Sequence, residues 1–318
     1  MAERSRGTRA PAGAQQDRAG GARDMGMPPA DIEVTGALVH ALLVEQHPDL
    51  AALPLEPAGA GWDNVLFRLG DDLVVRLPRH AAGARLLANE QTWLPRLAGR
   101  LPLSVPVPVR RGVPSDAFPW VWSVCPWYHG TPGDAVEALD AEATARDLGA
   151  FFRALHRTAP ADAPVNPFRS PAAQVDRASF EARCEAVSAM VDVSAVRHVW
   201  EEGRNARVFV GPRSWIHGDP HPANMLFADG RPTAVVDFGD VCAGDPATDL
   251  SCMWMLLPGR AHSSFVEAYG GIDADLAARA RAWAALFGVI LLGLGRTDRP
   301  SYEAVGRATL ARLTATGD

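Results

Sequence analysis

Lysine is absent from this 318-residue chain, and all 31 basic residues are arginine. Any role usually given to a lysine must therefore be filled by arginine or left empty. Cysteine is scarce. Cys125, Cys184, Cys242 and Cys252 are scattered with no C-x-x-C pair, which reads as buried or incidental thiols in a reducing cytoplasm. The N-terminus lacks the apolar h-region of a signal peptide. The longest apolar run, Trp283 to Leu294, is interrupted by Gly288 and Gly293 and falls short of the roughly 20 residues of a membrane span. Positive charge is also lacking: the formal net charge is −6, which disfavours a polyanionic partner. These absences predict a soluble cytoplasmic protein with no nucleic-acid and no membrane partner, and leave monomer or homodimer both open.

Apolar residues make up 47% of the chain, enough for two packed lobes. Residues 1 to about 30 are rich in Arg, Gly, Ala and Pro without periodicity and read as a disordered tail. Five arginines against three acids give residues 1–24 a net +2, which leaves −8 for the rest. A helical pattern runs from Asp31 to His47-Pro48. Strand signals follow at Asn64–Leu69 and Leu73–Leu77, then a helix around Arg85 to Leu94, then Pro-punctuated extended pieces up to Trp120–Val124. Residues 31–125 thus read as a small, mostly antiparallel β lobe that binds nucleotide. Past a linker near Pro126–Gly133, helical periodicity dominates Leu139–His156, much of Phe180–Val210, Asp275–Leu294 and Tyr302–Leu313. One β segment sits among them, with Asp229-Gly230 as its hairpin turn. The fold class is α+β: a small antiparallel β lobe, a hinge, and a larger helical lobe over 126–318 that carries catalytic loop and substrate pocket.

The chemistry gathers at that hairpin. His217-Gly-Asp-Pro-His-Pro-Ala-Asn224 sets a carboxylate five residues before a carboxamide, and Asp237 follows thirteen residues later in Val-Val-Asp-Phe-Gly239. Hairpin geometry can return Asp237 beside Asn224, so three oxygen-bearing side chains converge at one edge. Phosphoryl transfer needs such a set: one carboxylate takes the proton of the attacking hydroxyl, and oxygen ligands hold Mg²⁺ against the nucleotide phosphates. A metallohydrolase reading of His217, Asp219 and His221 competes, since alternation suits ligands on one strand face. Pro220 and Pro222 break strand pairing there, and that reading leaves Asn224 and Asp237 unexplained.

Asp-x₄-Asn followed by Asp-Phe-Gly is the kinase catalytic pattern, and its His-Gly-Asp form resembles the aminoglycoside phosphotransferase family. The likeness runs from Gly61-Trp-Asp-Asn64 to the final helices. It implies a protein-kinase-like fold and an enzyme that moves the γ-phosphoryl of ATP or GTP, with Mg²⁺, to a small-molecule hydroxyl. Asp219 is then the catalytic base, and Asn224 and Asp237 are the metal ligands. Gly59, Gly61 and Asn64 belong to the nucleotide-positioning loop. Arg76, on the strand where kinases usually place lysine, contacts the α/β-phosphates, and Glu90 fixes its angle. The linker near Cys125 and Trp127 reads the base through backbone groups, with Pro126 unable to donate. Asp249 anchors the catalytic loop, and Asp245 caps the helix after it.

The acceptor implied is an aminoglycoside or related antibiotic, with a macrolide or a choline- or sugar-like metabolite as the alternative. A polycation would favour an acidic pocket, for which Asp245, Glu267, Asp273 and Asp275 are candidates alongside capping and solvated-face roles. The missing lysine keeps open a second class, a non-catalytic kinase-like nucleotide-binding protein.

Overall fold

A computed structural model describes residues 28–169, 176–296 and 300–315. Most of the expected tail, residues 1–27, lies outside the described residues. The first helix, α1 (Gly36–Gln46), begins where the Thr35 hydroxyl accepts from the Leu38 N–H at 3.2 Å. It starts five residues later than the apolar pattern suggested, and Asp31 instead accepts from the Ala81 N–H at the start of the next helix at 3.0 Å.

Three antiparallel strands follow, β1 (Leu55–Ala60), β2 (Asn64–Leu69) and β3 (Leu73–Pro78). The helix α2 (Ala81–Ala98) opens on His80, whose Nδ1 accepts from the Gly83 N–H at 3.0 Å. Two more strands, β4 (Arg110–Gly112) and β5 (Trp122–Pro126), complete a five-stranded sheet in the order β1-β2-β3-β5-β4. Val39, Leu42 and Leu43 of α1 pack with Phe67, Leu69, Val75, Leu77, Trp122 and Val124 as one hydrophobic core. The far side of α2 (Trp93, Leu94, Leu97) joins a second, larger core. One helix thereby ties the sheet to the helical part.

That second part starts with the short β6 (Thr131–Pro132) and α3 (Ala141–Leu155), which is capped by Asp140. The loosely periodic stretch from 180 resolves into α4 (Arg177–Val187) and α5 (Val193–Asn205), stacked through Phe180 on Trp200 at 4.0 Å. Next come β7 (Ser214–Ile216), β8 (Met225–Ala228), β9 (Arg231–Val235) and β10 (Cys242–Gly244). They form a three-stranded sheet, β6-β8-β9, and a two-stranded one, β10-β7. The chain ends in α6 (Ala247–Leu250), α7 (Cys252–Leu256), α8 (His262–Tyr269), α9 (Ala274–Leu294) and α10 (Pro300–Thr314). The fold is α+β, as the sequence implied.

Two expectations change. The apolar run at 283–294 is only the end of α9, whose 21 residues are long and apolar enough to cross a membrane by length and composition. In the fold, 72% of its apolar window is buried, against α5 and α10 among others. The second strand of the catalytic hairpin also stops at Val235, two residues before Asp237. Asp237 takes a left-handed conformation (φ 61°, ψ 66°), which turns the chain into a 3₁₀ turn, Phe238–Asp240. A short polar side chain tolerates that region better than most.

Candidate active site

The loop from Ile216 to Asn224 is held rigidly from below. Asp249, fully buried at the start of α6, accepts from the N–H groups of His217 at 2.6 Å and Gly218 at 2.9 Å, and faces His156 Nε2 at 3.0 Å. It is the anchor expected of it. Gly218 sits at φ +86°, and a Cβ there would fall 2.8 Å from the Asp240 carbonyl oxygen. Only glycine fits that approach. His217 Nδ1 accepts from the Asp219 N–H at 3.2 Å, so its proton lies on Nε2, which meets the Val236 carbonyl at 2.9 Å. His221 Nδ1 accepts from the Ala223 N–H at 2.9 Å, and its ring lies 4.7 Å from that of Tyr302. The histidines fasten the loop. Among the described residues no three His, Cys, Asp or Glu side chains gather to hold a metal unaided.

Asp219 itself is one-third exposed. Asn224 Nδ2 donates to its Oδ2 at 3.0 Å and to its backbone carbonyl at 3.1 Å. Asn224 keeps its place through its own carbonyl, which accepts from the Val236 N–H at 2.8 Å. That bond brings Asp237 to the same edge. Arg76 bridges to it from β3: Nη1 bonds Glu90 Oε1 at 2.5 Å, and Nη2 lies 3.6 Å from Asp237 Oδ1. Burial pulls on the Arg76 guanidinium, yet Glu90 and Asp237 together hold its pKa above the usual arginine value, so the cation stays charged. Cys125, behind it, is pushed up to about 12 by burial and serves as an inert thiol.

The residues expected to form a nucleotide loop make up the β1–β2 turn. Gly59 lies at φ +115° beside a β-bulge, and Gly61 N–H bonds the Asn64 carbonyl at 2.8 Å. Arg79 braces the turn by donating to the carbonyls of Gly61 at 3.3 Å and Trp62 at 3.4 Å. Asn64 Oδ1 is buried with no hydrogen-bond partner.

In the linker, β5 pairs with β3 so that Trp127 N–H donates to the Asp72 carbonyl at 2.7 Å. Backbone groups alternate sides along a strand, so those of Cys125 and Trp127 face β3, while those of Val124, Pro126 and Tyr128 turn away. Val124 is taken by the Val109 N–H at 2.8 Å. The linker edge turned away from β3 is therefore one residue removed from Cys125 and Trp127, through which the base was expected to be read. It consists of the Pro126 carbonyl and the Tyr128 backbone.

Three residues that the sequence did not single out join the site. Asp63 is pushed up to about 6 by burial and by Asp237, with His80, 3.5 Å from its Oδ1, acting against the shift. Asp240 and Arg169 pair at 2.6 Å, and Arg169 Nη2 lies 3.9 Å from Asp219 Oδ1. Asp63 carries a pH prediction. Its raised pKa means the folded state binds the proton more tightly than the unfolded chain, so it costs stability above about pH 6 and the cost fades towards pH 4. Asp63→Asn should raise Tm at pH 7 without nucleotide by a few degrees, about 2–4 °C per kcal/mol, and the gain should vanish near pH 4. A gain independent of pH would show that Asp63 is not the strained group.

Excess negative charge on Asp63, Asp237 and Asp219, with Asp240 offset by Arg169 at 2.6 Å, suits a hard divalent cation such as Mg²⁺ at this edge. With Nδ2 committed to Asp219, Asn224 can offer its Oδ1, and Asp237 its half-exposed carboxylate. The acids proposed for a polycation fare differently. Asp245 is buried against Arg279 at 2.7 Å and also accepts from the Ala247 N–H at 3.1 Å, as expected of a cap. Asp273 caps α9, Asp275 binds the Arg207 N–H at 3.0 Å, and Glu267 lies exposed on α8. A groove of about 410 Å³ by Glu137 and Asp229 lies at the turn end of the β8–β9 hairpin, opposite the catalytic edge.

Residues 54–287 match the model of a phosphotransferase enzyme family. No curated protein matches. Among solved structures, a complex of an APH(2") enzyme with GDP and kanamycin superposes with a TM-score of 0.63 at 22% identity, covering 88% of this chain and 99% of that one. An aminoglycoside phosphotransferase APH(2'')-Ib with ADP bound gives 0.56 at 16%, covering 88% and 99%. Macrolide 2'-phosphotransferase MphH from Brachybacterium faecium, without ligand, gives 0.55 at 25%, covering 89% and 98%.

Proposed function

This chain belongs to the phosphotransferase enzyme family, and on that premise we propose that it transfers the γ-phosphoryl group of ATP or GTP to a hydroxyl of an antibiotic-like small molecule. The observation that carries the reading is the convergence of Asp219, Asn224 and Asp237 on one edge, with Arg76 reaching that edge from the sheet. The acceptor hydroxyl lies against Asp219, its oxygen attacks the γ-phosphorus, and its proton passes to Asp219 Oδ1 as the bond to the nucleoside diphosphate breaks. Asn224 keeps Oδ2 occupied, so the carboxylate presents one oxygen. Arg76, charged at all relevant pH, steadies the α/β-phosphates and is itself aimed by Glu90. The Gly59–Asn64 turn covers the phosphates, and Pro126 and Tyr128 offer the base an acceptor and a donor. Held by Asn224 and Asp237, Mg²⁺ would neutralise phosphate charge.

For the acceptor, the aminoglycoside reading needs acidic side chains free to meet ammonium groups. Asp245, Asp273 and Asp275 are committed elsewhere, Glu267 is exposed on α8, and the Arg169 guanidinium stands 3.9 Å from Asp219 Oδ1. A fixed cation beside Asp219 favours an acceptor of lower positive charge, as a macrolide has. The discriminating measurement is transfer from labelled ATP and GTP, with Mg²⁺, to a panel of aminoglycosides, macrolides, choline and sugars. The expected result is one phosphorylated antibiotic class, with macrolides ahead. Stabilisation by Mg-nucleotide with transfer to no acceptor would replace the kinase reading by a nucleotide-binding protein.

A further inference from the structure

Arg169 closes a 3₁₀ turn, Pro167–Arg169, and its side chain and that of Asn166 both end on Asp240. Its Nη2 lies 2.6 Å from Asp240 Oδ2, and Asn166 Nδ2 donates to Asp240 Oδ1 at 2.6 Å. The same Nη2 stands 3.9 Å from Asp219 Oδ1, and the guanidinium carbon lies 5.6 Å from the centre of the Phe287 ring. Gly218 lets this happen. A Cβ there would come within 3.4 Å of Arg169 Cγ as well as 2.8 Å of the Asp240 carbonyl. A bare backbone next to Asp219 lets the Asp240 carbonyl approach, with the arginine stem alongside at ordinary contact distance.

The two oxygens of Asp219 are then in different situations. Oδ2 is tied to Asn224 at 3.0 Å. Oδ1 faces a cation at 3.9 Å, too far for a hydrogen bond yet close enough for charge to act. We propose that Arg169 is a positioning residue for phosphoryl transfer: Asp240 fixes its guanidinium, and its charge holds Asp219 Oδ1 towards the acceptor. The inference rests on the reading of Asp219 as the base. A terminal carboxylate torsion is soft, so without the cation Oδ1 is free to swing away from the hydroxyl it must meet. At 3.9 Å the cation orients Oδ1 without occupying the lone pairs that receive the proton. The competing role is a staple, in which the pair only fastens the 166–169 segment to the Phe238–Asp240 turn.

Three proteins separate the two: wild type, Arg169→Lys, and the double variant Arg169→Gln/Asp240→Asn, which removes both charges and leaves neither buried alone. Each is assayed as the full chain with Mg²⁺ and nucleotide on the antibiotic that the wild type phosphorylates. The double variant should lose about 10- to 100-fold in kcat, with nucleotide KM and Tm close to wild type. Arg169→Lys, which keeps the charge, should recover most of that kcat. A staple gives the opposite pattern. Wild-type kcat in the folded double variant, or a loss in Arg169→Lys as deep as in the double, overturns the proposal. If the double variant does not fold, Arg169→Gln takes its place with the same two outcomes. A wild type inactive on every acceptor sinks the kinase reading and this inference together, whereas an active wild type with an unaffected double variant sinks only the inference.

Discussion

Asp219→Asn should lower kcat about 100- to 10,000-fold, the range of a lost general base, while leaving nucleotide Kd nearly unchanged. The substitution keeps size and shape, so the backbone bonds that seat the loop on Asp249 are untouched. The carboxamide oxygen can still accept from Asn224 Nδ2, as Oδ2 does at 3.0 Å. What disappears is the basic oxygen on the other side, facing Arg169. The amide cannot take a proton from the acceptor hydroxyl, and its NH₂ would point at a guanidinium, donor against donor. Steady-state kinetics on the phosphorylated antibiotic, paired with calorimetric titration of Mg-nucleotide, separates the terms. Loss of both kcat and nucleotide affinity would mean that Asp219 serves the nucleotide. Unchanged kcat would remove it from the chemistry.

Asp219, Asn224 and Asp237 were legible because their spacing is local and a hairpin returns them to one edge. Glu90 was legible for a related reason: a strand followed by a helix crossing behind it limits where a residue fourteen positions after Arg76 can lie. Arg169 and Asp240 were not, since they meet across 71 residues and Arg169 lies in a stretch without periodicity. The linker shows a subtler limit. Its extended nature was readable, but a strand's sides alternate with every residue, so the register with β3 decides whether Trp127 or Tyr128 faces a base. Asp237 likewise sits past the strand that was expected to carry it, because its left-handed turn leaves no pattern in composition. Asp63 was quoted within its loop, but its strain depends on Asp237, 174 residues away, and only the fold brings the two carboxylates near.

Arg76→Ala should damage the protein twice, and the two injuries can be separated. Glu90 is fully buried, and its contact with Arg76 at 2.5 Å supplies its countercharge. Removing one partner of a buried pair typically costs about 3–5 kcal/mol because the other charge is left uncompensated. At about 2–4 °C per kcal/mol, Tm should fall on the order of 10 °C. The double variant Arg76→Met/Glu90→Leu buries no lone charge, so most of that Tm should return. Nucleotide handling should not return with it. The Arg76 cation lies 3.6 Å from Asp237, on the side where the phosphates would sit, and neither Met nor Leu replaces it. KM for the nucleotide should stay raised, or kcat lowered, by at least about tenfold in both variants, equivalent to about 1.4 kcal/mol. Differential scanning fluorimetry alongside kinetics reads both terms. Kinetics that recover together with Tm in the double variant would make Arg76 a structural partner of Glu90 alone and leave the place of lysine empty in this chain.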